Sequence, residues 1–274
     1  MLYVLKRLVR HRSLLVTLTR RELAARYRGS TLGFLWSLVN PLLLLIVYSL
    51  VFSVIFQPRD EAVVTYGPYA LFLATGVIPW IWIQTAWLEG ANSLLANAGL
   101  IRKAAFPAEI LPVVSVLANL FHLVLALPIL ALAFVVTGFV VPETTAVTFE
   151  WTAVFLPCVV LLQVPMVIGV SLATAALNVH FKDVRDILQN LLTLLFFATP
   201  ILYTLRTVEN FPPVWWAIRV NPFTGFTLAY QEATFFGRAP SLWLWLEMGL
   251  VSALFLSAGC WLFHRLSETL VEAV

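Results

Sequence analysis

Long apolar stretches alternate along the chain with short polar stretches that contain proline, glycine or arginine. Six of the apolar stretches approach or exceed the roughly 20 residues that a helix needs to cross the hydrocarbon layer. The pattern therefore predicts an all-α integral membrane protein with six transmembrane helices. The predicted spans are Thr31–Phe56, Tyr69–Glu89, Leu111–Thr137, Trp151–Leu177, Ile187–Tyr203 and Ser241–Phe263, with Thr199-Pro200 as an alternative, earlier end of the fifth.

Three stretches outside the predicted spans each have a distinct pattern of apolar and polar residues. Residues 1–30 combine an apolar stripe with many basic residues, which predicts an amphipathic helix on an anionic membrane surface, ahead of a transmembrane domain at 31–274. Gly90–Ile110 is an amphipathic loop. Thr204–Pro240 is rich in aromatic residues and interrupted by prolines, which predicts one or two short re-entrant helices on the periplasmic side.

Basic residues are distributed unequally between the two sides of this predicted topology. One side, which includes both termini, carries 13 lysines and arginines, and the other carries 4. Because positively charged loops stay in the cytoplasm, both termini are predicted to be cytoplasmic.

The composition limits the classes of function that the chain can have. It is 61% hydrophobic and 11% charged, whereas soluble domains are roughly 25% charged. The sequence contains no phosphate-binding loop of the Gly-x-x-x-x-Gly-Lys type and no zinc motif of the His-Glu-x-x-His type. We therefore expect no catalytic residue, no metal site and no bound cofactor in this chain.

Few ionisable groups lie inside the predicted spans. Glu247 is the one acidic residue well inside a span, and either a structural partner or a transport role would explain it. His122 is expected to hydrogen-bond a neighbouring helix, and Gly29-x-x-x-Gly33 fits a motif for close helix packing. The scarcity of ionisable residues indicates that transport would use an external energy source.

Aromatic and polar side chains recur at helical spacing in three of the spans. Such faces either pack against other helices and the membrane interface, or line a conduit in which rings stack on sugars. The residues concerned are Tyr48 and Phe52 in the first span, Trp80, Gln84 and Trp87 in the second, and Phe196, Thr199 and Tyr203 in the fifth.

Several short motifs, spread in order over nearly the whole chain, resemble those of ABC-2 type transporter permeases that export polysaccharides. The motifs are Arg26-Tyr27-Arg28-Gly29-Ser30 with Leu32-Gly33 and Trp36, Asn40-Pro41, Leu100-Ile101-Arg102-Lys103 with Phe106-Pro107, Leu111-Pro112, Phe181-Lys182-Asp183-Val184, Thr199-Pro200 and Asn221-Pro222. The resemblance implies a homodimer bound to two copies of a separate ABC ATPase, which would hold the ATP and Mg²⁺. It also implies a lipid-linked polysaccharide substrate (O-antigen, capsule or teichoic acid), contact with membrane lipids, no nucleic acid, and a place in the inner membrane.

The resemblance also implies roles for particular residues. An N-terminal interface helix would end at Arg26, Tyr27, Arg28 and Gly29, and the conduit would be formed by the first, second and fifth spans of both subunits. The element that docks on the ATPase would consist of Asn97, Leu100, Ile101, Arg102, Lys103, Phe106 and Pro107. For Arg102 and Lys103, anchoring by the positive-inside rule is an equally good explanation.

Two other functions are compatible with the sequence. One is an exporter of a drug or small lipid from the same superfamily. The other is a membrane-embedded transferase, which would need paired acids or an acid with a histidine near one membrane face. Asp183 and Asp186 are the nearest acidic pair, interleaved with Lys182 and Arg185.

Overall fold

The computed structural model describes residues 2–29, 33–51, 63, 66–102, 106–140 and 151–267, and within these ranges it contains no β-strand. The predicted all-α class is therefore confirmed. The helices are α1 (Leu2–Arg10), α2 (Arg12–Arg26), α3 (Trp36–Leu50), α4 (Tyr69–Ala96), α5 (Ile110–Val140), α6 (Leu156–His180), α7 (Val184–Ala198), α8 (Pro212–Val220), α9 (Thr224–Thr234) and α10 (Leu242–Leu266).

Four of the helices, α4, α5, α6 and α10, are long and apolar enough to cross a membrane. They coincide with the second, third, fourth and sixth predicted spans. The first predicted span falls partly on α3 and partly outside the described residues. The fifth falls on α7, which has 15 residues and is about 22 Å long, so the count of six spans stays a prediction.

Two boundaries of the predicted elements change in the structure. The predicted loop Gly90–Ile110 begins as helix, because α4 continues seven residues beyond Glu89 to Ala96. The fifth span ends early, as the alternative boundary predicted. Thr199 has an extended backbone (φ −104°, ψ 137°) because the ring of a following proline disfavours the helical conformation.

Helix α4 lies at the centre of the bundle, where Phe72, Leu73 and Ala74 are fully buried. Helices α6 and α10 cross in backbone contact at Gly169 and Gly259. A Cβ added to Gly259 would lie 2.0 Å from the carbonyl oxygen of Gly169, so the crossing requires glycine.

The glycine motif predicted to pack helices has a different role in the structure. Gly29 and Gly33 have positive φ angles of 79° and 49°, and among the described residues nothing beyond their chain neighbours lies within 4 Å of where their Cβ atoms would be. Glycine adopts this backbone at little steric cost, and neither residue lies within an α-helix. The close-packing interpretation of this motif was wrong.

The two N-terminal helices pack on the ends of the transmembrane helices. Val4 of α1 and Leu18 of α2 are buried at 2% and 9% exposure. Nε of Arg7 lies 2.7 Å from Oε1 of Glu109, immediately before α5. The apolar stripe predicted for this segment is therefore used at least in part for contacts within the chain.

The aromatic segment before α10 folds into a 3₁₀ turn (Leu205–Val208) followed by α8 and α9. Buried hydrogen bonds tie it to the rest of the bundle: Tyr230 donates to Oε1 of Gln163 at 2.7 Å, and Nε2 of Gln231 donates to the carbonyl oxygen of Pro200 at 2.8 Å. The predicted short helices are present, and their re-entry into the membrane stays a prediction.

Candidate functional site

A network of three polar side chains joins the end of α2 to α4 and α5. Nη2 of Arg26 lies 2.6 Å from Oε2 of Glu89, and Nη1 of Arg26 donates to Oδ1 of Asn119 at 3.0 Å. Nδ2 of Asn119 also donates to Oε2 of Glu89, at 2.5 Å. These charge-assisted hydrogen bonds hold the N-terminal segment against two membrane-spanning helices.

A second contact of the same segment involves Tyr27, which follows α2. Its hydroxyl lies 3.1 Å from Nδ1 of His122 on α5, and the two rings meet edge to face with centroids 5.9 Å apart. The hydrogen bond predicted for His122 is therefore present, but its partner lies just after a neighbouring helix rather than within it.

The four residues assigned to the interface helix have different surroundings. Arg26 and Tyr27 contact the bundle, Arg28 is exposed, and Gly29 lies in the turn that follows α2. Sequence reasoning missed the partners Glu89 and Asn119. An amide inside an apolar span, as Asn119 is, was the available signal, because such groups usually bond across helices.

Two cavities lie next to the ion pair of Arg26 and Glu89, and each is lined by one of the two residues. The inter-helix cavity, of about 380 Å³, lies between α3, α4 and α5 and is lined by Arg26. The polar cavity, of about 240 Å³, is lined by Glu89 and by side chains of α2 and α4 that include Arg21, Glu22 and Asn92. Arg26 thus lines one cavity, and Glu89, its partner in the ion pair, lines the other.

The residues assigned to ATPase docking follow directly on α4. Nδ2 of Asn97 donates to the carbonyl oxygen of Ser93 at 2.9 Å, and a helical turn spans Ala98–Ile101. Ile101 is only 4% exposed, whereas Arg102 is exposed. Of the other members, Leu100 and Phe106 are half-buried, Pro107 is buried, and Lys103 lies outside the described residues.

This geometry gives the segment assigned to ATPase docking a fixed base. Ile101 belongs to a buried cluster that includes Leu94, Val179 and Phe263. The turn is therefore held against α4, α6 and α10 while the side chain of Arg102 remains accessible. A force on this segment would be transmitted to the helices that it contacts.

The two tryptophans assigned to the conduit are in the interior of the chain. Trp80 is 2% and Trp87 is 7% exposed, and both rings pack on Phe223, with centroids 5.5 and 6.0 Å away. Nε1 of Trp87 donates to Oγ1 of Thr174 at 3.1 Å. The shared helix face is as predicted, but within one chain it packs against α9 and α6.

The remaining conduit residues are divided between packing and partial exposure. Thr199 is fully buried and accepts a 2.9 Å hydrogen bond from Nδ2 of Asn221. Gln84, Phe196 and Tyr203 are half-buried. The side chain of Tyr48 and the whole of Phe52 lie outside the described part of the chain, so the conduit assignment stays a prediction.

Glu247 has a structural partner. Its two carboxylate oxygens accept from Nη1 and Nη2 of Arg219, each at 2.6 Å. Both side chains are about one-quarter to one-third exposed, at 31% for Arg219 and 25% for Glu247. This bidentate pair fixes α8 to α10, and so supports the structural alternative for Glu247.

The described residues include no group of three or more histidine, cysteine, aspartate or glutamate side chains that could hold a metal ion. Asp183 and Asp186, the acid pair considered for a transferase, are exposed at the start of α7. At the α2 end of the bundle, the ion pair of Arg26 and Glu89 joins α2 to α4.

Known proteins resemble the chain over most or all of its length. The sequence profile of the family described as "ABC-2 type transporter" matches residues 13–235. The O-antigen export system permease protein RfbA of Myxococcus xanthus is 35% identical over 274 residues, which covers 100% of both chains. Two proteins of the same name from Klebsiella pneumoniae are 32% and 31% identical over 220 residues, or 80% of this chain and 79% of each relative.

These matches agree with the helical membrane architecture and with the motifs at the end of α2 and after α4. They cover more than half of the chain, and one relative aligns from end to end. The chain therefore belongs to the ABC-2 type transporter family and is a membrane-spanning transport subunit rather than an enzyme.

Proposed function

We propose that this chain is the membrane subunit of an ATP-driven exporter that moves a lipid-linked polysaccharide of the O-antigen type across the inner membrane. The observation that carries the proposal is the full-length 35% identity to an O-antigen export system permease. Relatives from a second organism bear the same name over four-fifths of the chain. A long hydrophilic polymer needs such a protein because it cannot cross about 30 Å of hydrocarbon unaided.

The proposal assigns ATP and Mg²⁺ to separate ABC ATPase subunits, two copies of which would bind the permease. The turn at Ala98–Ile101 supports this assignment, because its apolar side is anchored in the bundle and Arg102 is exposed. Closure of the ATPases on ATP would push this turn and shift α4 as a rigid body. Arg26 and Glu89 would carry the shift to α2.

A second copy of the chain would complete the conduit. Helices α3 and α7 have apolar side chains that are strongly exposed within one chain, including Ile46 at 60% and Leu194 at 68%. Such surfaces meet either lipid or protein in a membrane. A homodimer around a two-fold axis would place them at the passage between subunits, and native mass spectrometry of the purified subunit measures whether two copies associate.

The predicted orientation places α1, α2 and the Ala98–Ile101 turn in the cytoplasm, on the side where ATP is available. Both termini would then be cytoplasmic, in an inner membrane.

Deletion and complementation in the source organism test the proposed function. Without the chain, we expect lipid-linked polysaccharide to accumulate inside the cell and to disappear from the surface, as followed by immunoblotting of intact and lysed cells. Re-expression of the chain should restore the surface signal. Normal surface polysaccharide in the deletion strain, together with loss of resistance to a small toxic compound, would instead identify an exporter of small molecules.

A further inference from the structure

The inter-helix cavity has a polar end and an apolar interior. Arg26, Tyr27, Asn119 and His122 line it near the end of α2. Farther along α4 and α5 its lining is apolar and includes Ile78, Leu123 and Ala126 among others. From Asn119 to Ala126 the cavity follows α5 for seven residues, or about 10 Å.

Hydrogen-bond donors at the polar end are available to a ligand. The two contacts of Arg26, with Glu89 and Asn119, use two of the five N–H groups of a guanidinium. The remaining N–H groups of Arg26 can therefore donate to an acceptor-rich group such as a phosphate.

The volume and the division of polarity define the chemistry of the ligand. About 380 Å³ is within the range of small-molecule sites, which are roughly 300–1,000 Å³. A sugar would leave its hydroxyl groups unpaired in the apolar part, whereas a hydrocarbon chain would fill it. A phosphate at the polar end would accept from Arg26 in the geometry that guanidinium groups favour.

We propose that the inter-helix cavity binds a phosphate-headed membrane lipid, with the phosphate at Arg26 and one hydrocarbon chain between α3, α4 and α5. The ligand is either an isoprenoid phosphate of the kind that carries saccharides or an ordinary anionic phospholipid. Because Arg26 lines this cavity and is paired with Glu89, an occupied site lies beside the contact that joins α2 to α4. The inference goes beyond the proposed function, since lipid binding can be measured without export.

Lipid retention by the purified full-length chain tests this inference. The chain is placed in nanodiscs of phosphatidylcholine that contain, in separate samples, undecaprenyl phosphate, phosphatidylglycerol or the uncharged alcohol undecaprenol, and bound lipid is counted by native mass spectrometry. We expect retention of one or both phosphate-headed lipids and not of the alcohol. The lipid that is retained identifies the source of the ligand.

Two variants and two matched controls locate the binding site. Arg26→Gln removes a charged donor and should lower retention about tenfold, as loss of one charge-assisted hydrogen bond predicts. Ala126→Phe fills the apolar interior and should lower it similarly. Arg20→Gln removes an exposed charge of α2, and Ala131→Phe adds the same bulk elsewhere on α5, so both should retain lipid normally.

Folding is checked first by size-exclusion chromatography, and Ala126→Leu replaces Ala126→Phe if the larger side chain prevents folding. Equal retention by all folded variants, or retention of undecaprenol equal to that of undecaprenyl phosphate, would overturn the proposal.

Discussion

At the scale of single residues, ion pairs join segments that are far apart in the sequence. Arg26 and Glu89 are 63 residues apart, and Arg219 and Glu247 are 28 apart. Each pair fixes a short helix outside the predicted spans to a long membrane-spanning helix. These four charged residues thus position two of the short helices.

Removing one member of the second pair should destabilise the protein. We expect Glu247→Ala to cost about 1–2 kcal/mol, because Arg219 is left partly buried without its bidentate partner. The melting temperature of the purified chain should then fall by roughly 2–4 °C per kcal/mol.

Glu209→Ala is the matched control for this prediction, since Glu209 is an exposed acid in the same segment. The double variant Arg219→Ala/Glu247→Ala should lose less stability than the sum of the two single variants. Strict additivity would show that the two side chains do not stabilise α8 on α10.

At the scale of helices, the closest packing depends on two glycines in apolar surroundings. The Cβ position of Gly169 would lie 2.2 Å from the carbonyl oxygen of Phe255, and that of Gly259 would lie 2.0 Å from the carbonyl oxygen of Gly169. Both contacts are with backbone, which cannot move aside as a flexible side chain can. Helices α6 and α10 therefore pack at this distance only without side chains.

Gly259→Ala should consequently prevent α10 from docking on α6. We expect little monodisperse protein after extraction with mild detergent, as measured by fluorescence-detected size-exclusion chromatography. Gly249→Ala is a change of the same kind on the same helix, at a position with no atom within 4 Å of the added Cβ, and it should behave like the unchanged chain. Comparable yields of both variants would contradict the observed crossing.

The long helices could be predicted from the sequence because the bilayer selects for apolar length. Their ends were less predictable, since hydropathy marks where a helix leaves the hydrocarbon and not where it stops. Helix α4 is an example, because it continues to Ala96 through the polar residues Glu89, Asn92 and Ser93. The crossing at Gly169 and Gly259 was not predicted, because two single glycines 90 positions apart have no local signal.

The candidate site was predictable only in part. The Arg26-Tyr27-Arg28-Gly29 motif indicated where the chain approaches the bundle, but its partners Glu89 and Asn119 depend on how α2 packs on α5. The spacing of Trp80 and Trp87 correctly placed them on one helix face. Whether such a face meets a conduit or the interior is decided by its neighbours, here Phe223.

At the scale of the whole molecule, the passage for the polysaccharide and the source of energy are proposed to lie in separate polypeptides. The segment after α4 is the proposed contact between this chain and the ATPase subunit. Arg102→Glu should weaken binding of the ATPase subunit, because it reverses an exposed charge beside a turn whose apolar side is buried. We expect less ATPase to co-purify with the tagged permease, and proportionally less polysaccharide to be exported.

Arg206→Glu makes the same charge reversal at an exposed residue on the predicted opposite side of the membrane, and should leave co-purification unchanged. An equal loss of ATPase co-purification in both variants would indicate a general effect on insertion of the permease into the membrane. Full co-purification with Arg102→Glu would remove Arg102 from the docking surface.

ATP-dependent export in proteoliposomes tests most directly whether this chain forms the passage while a separate ATPase supplies the energy. The purified chain is reconstituted with and without its proposed ABC ATPase partner, and ATP hydrolysis and movement of lipid-linked polysaccharide are followed together. We expect the chain alone to show neither ATP hydrolysis nor polysaccharide movement, and the complex to show both. Movement of polysaccharide by the chain alone, driven by an ion gradient without nucleotide hydrolysis, would contradict this expectation.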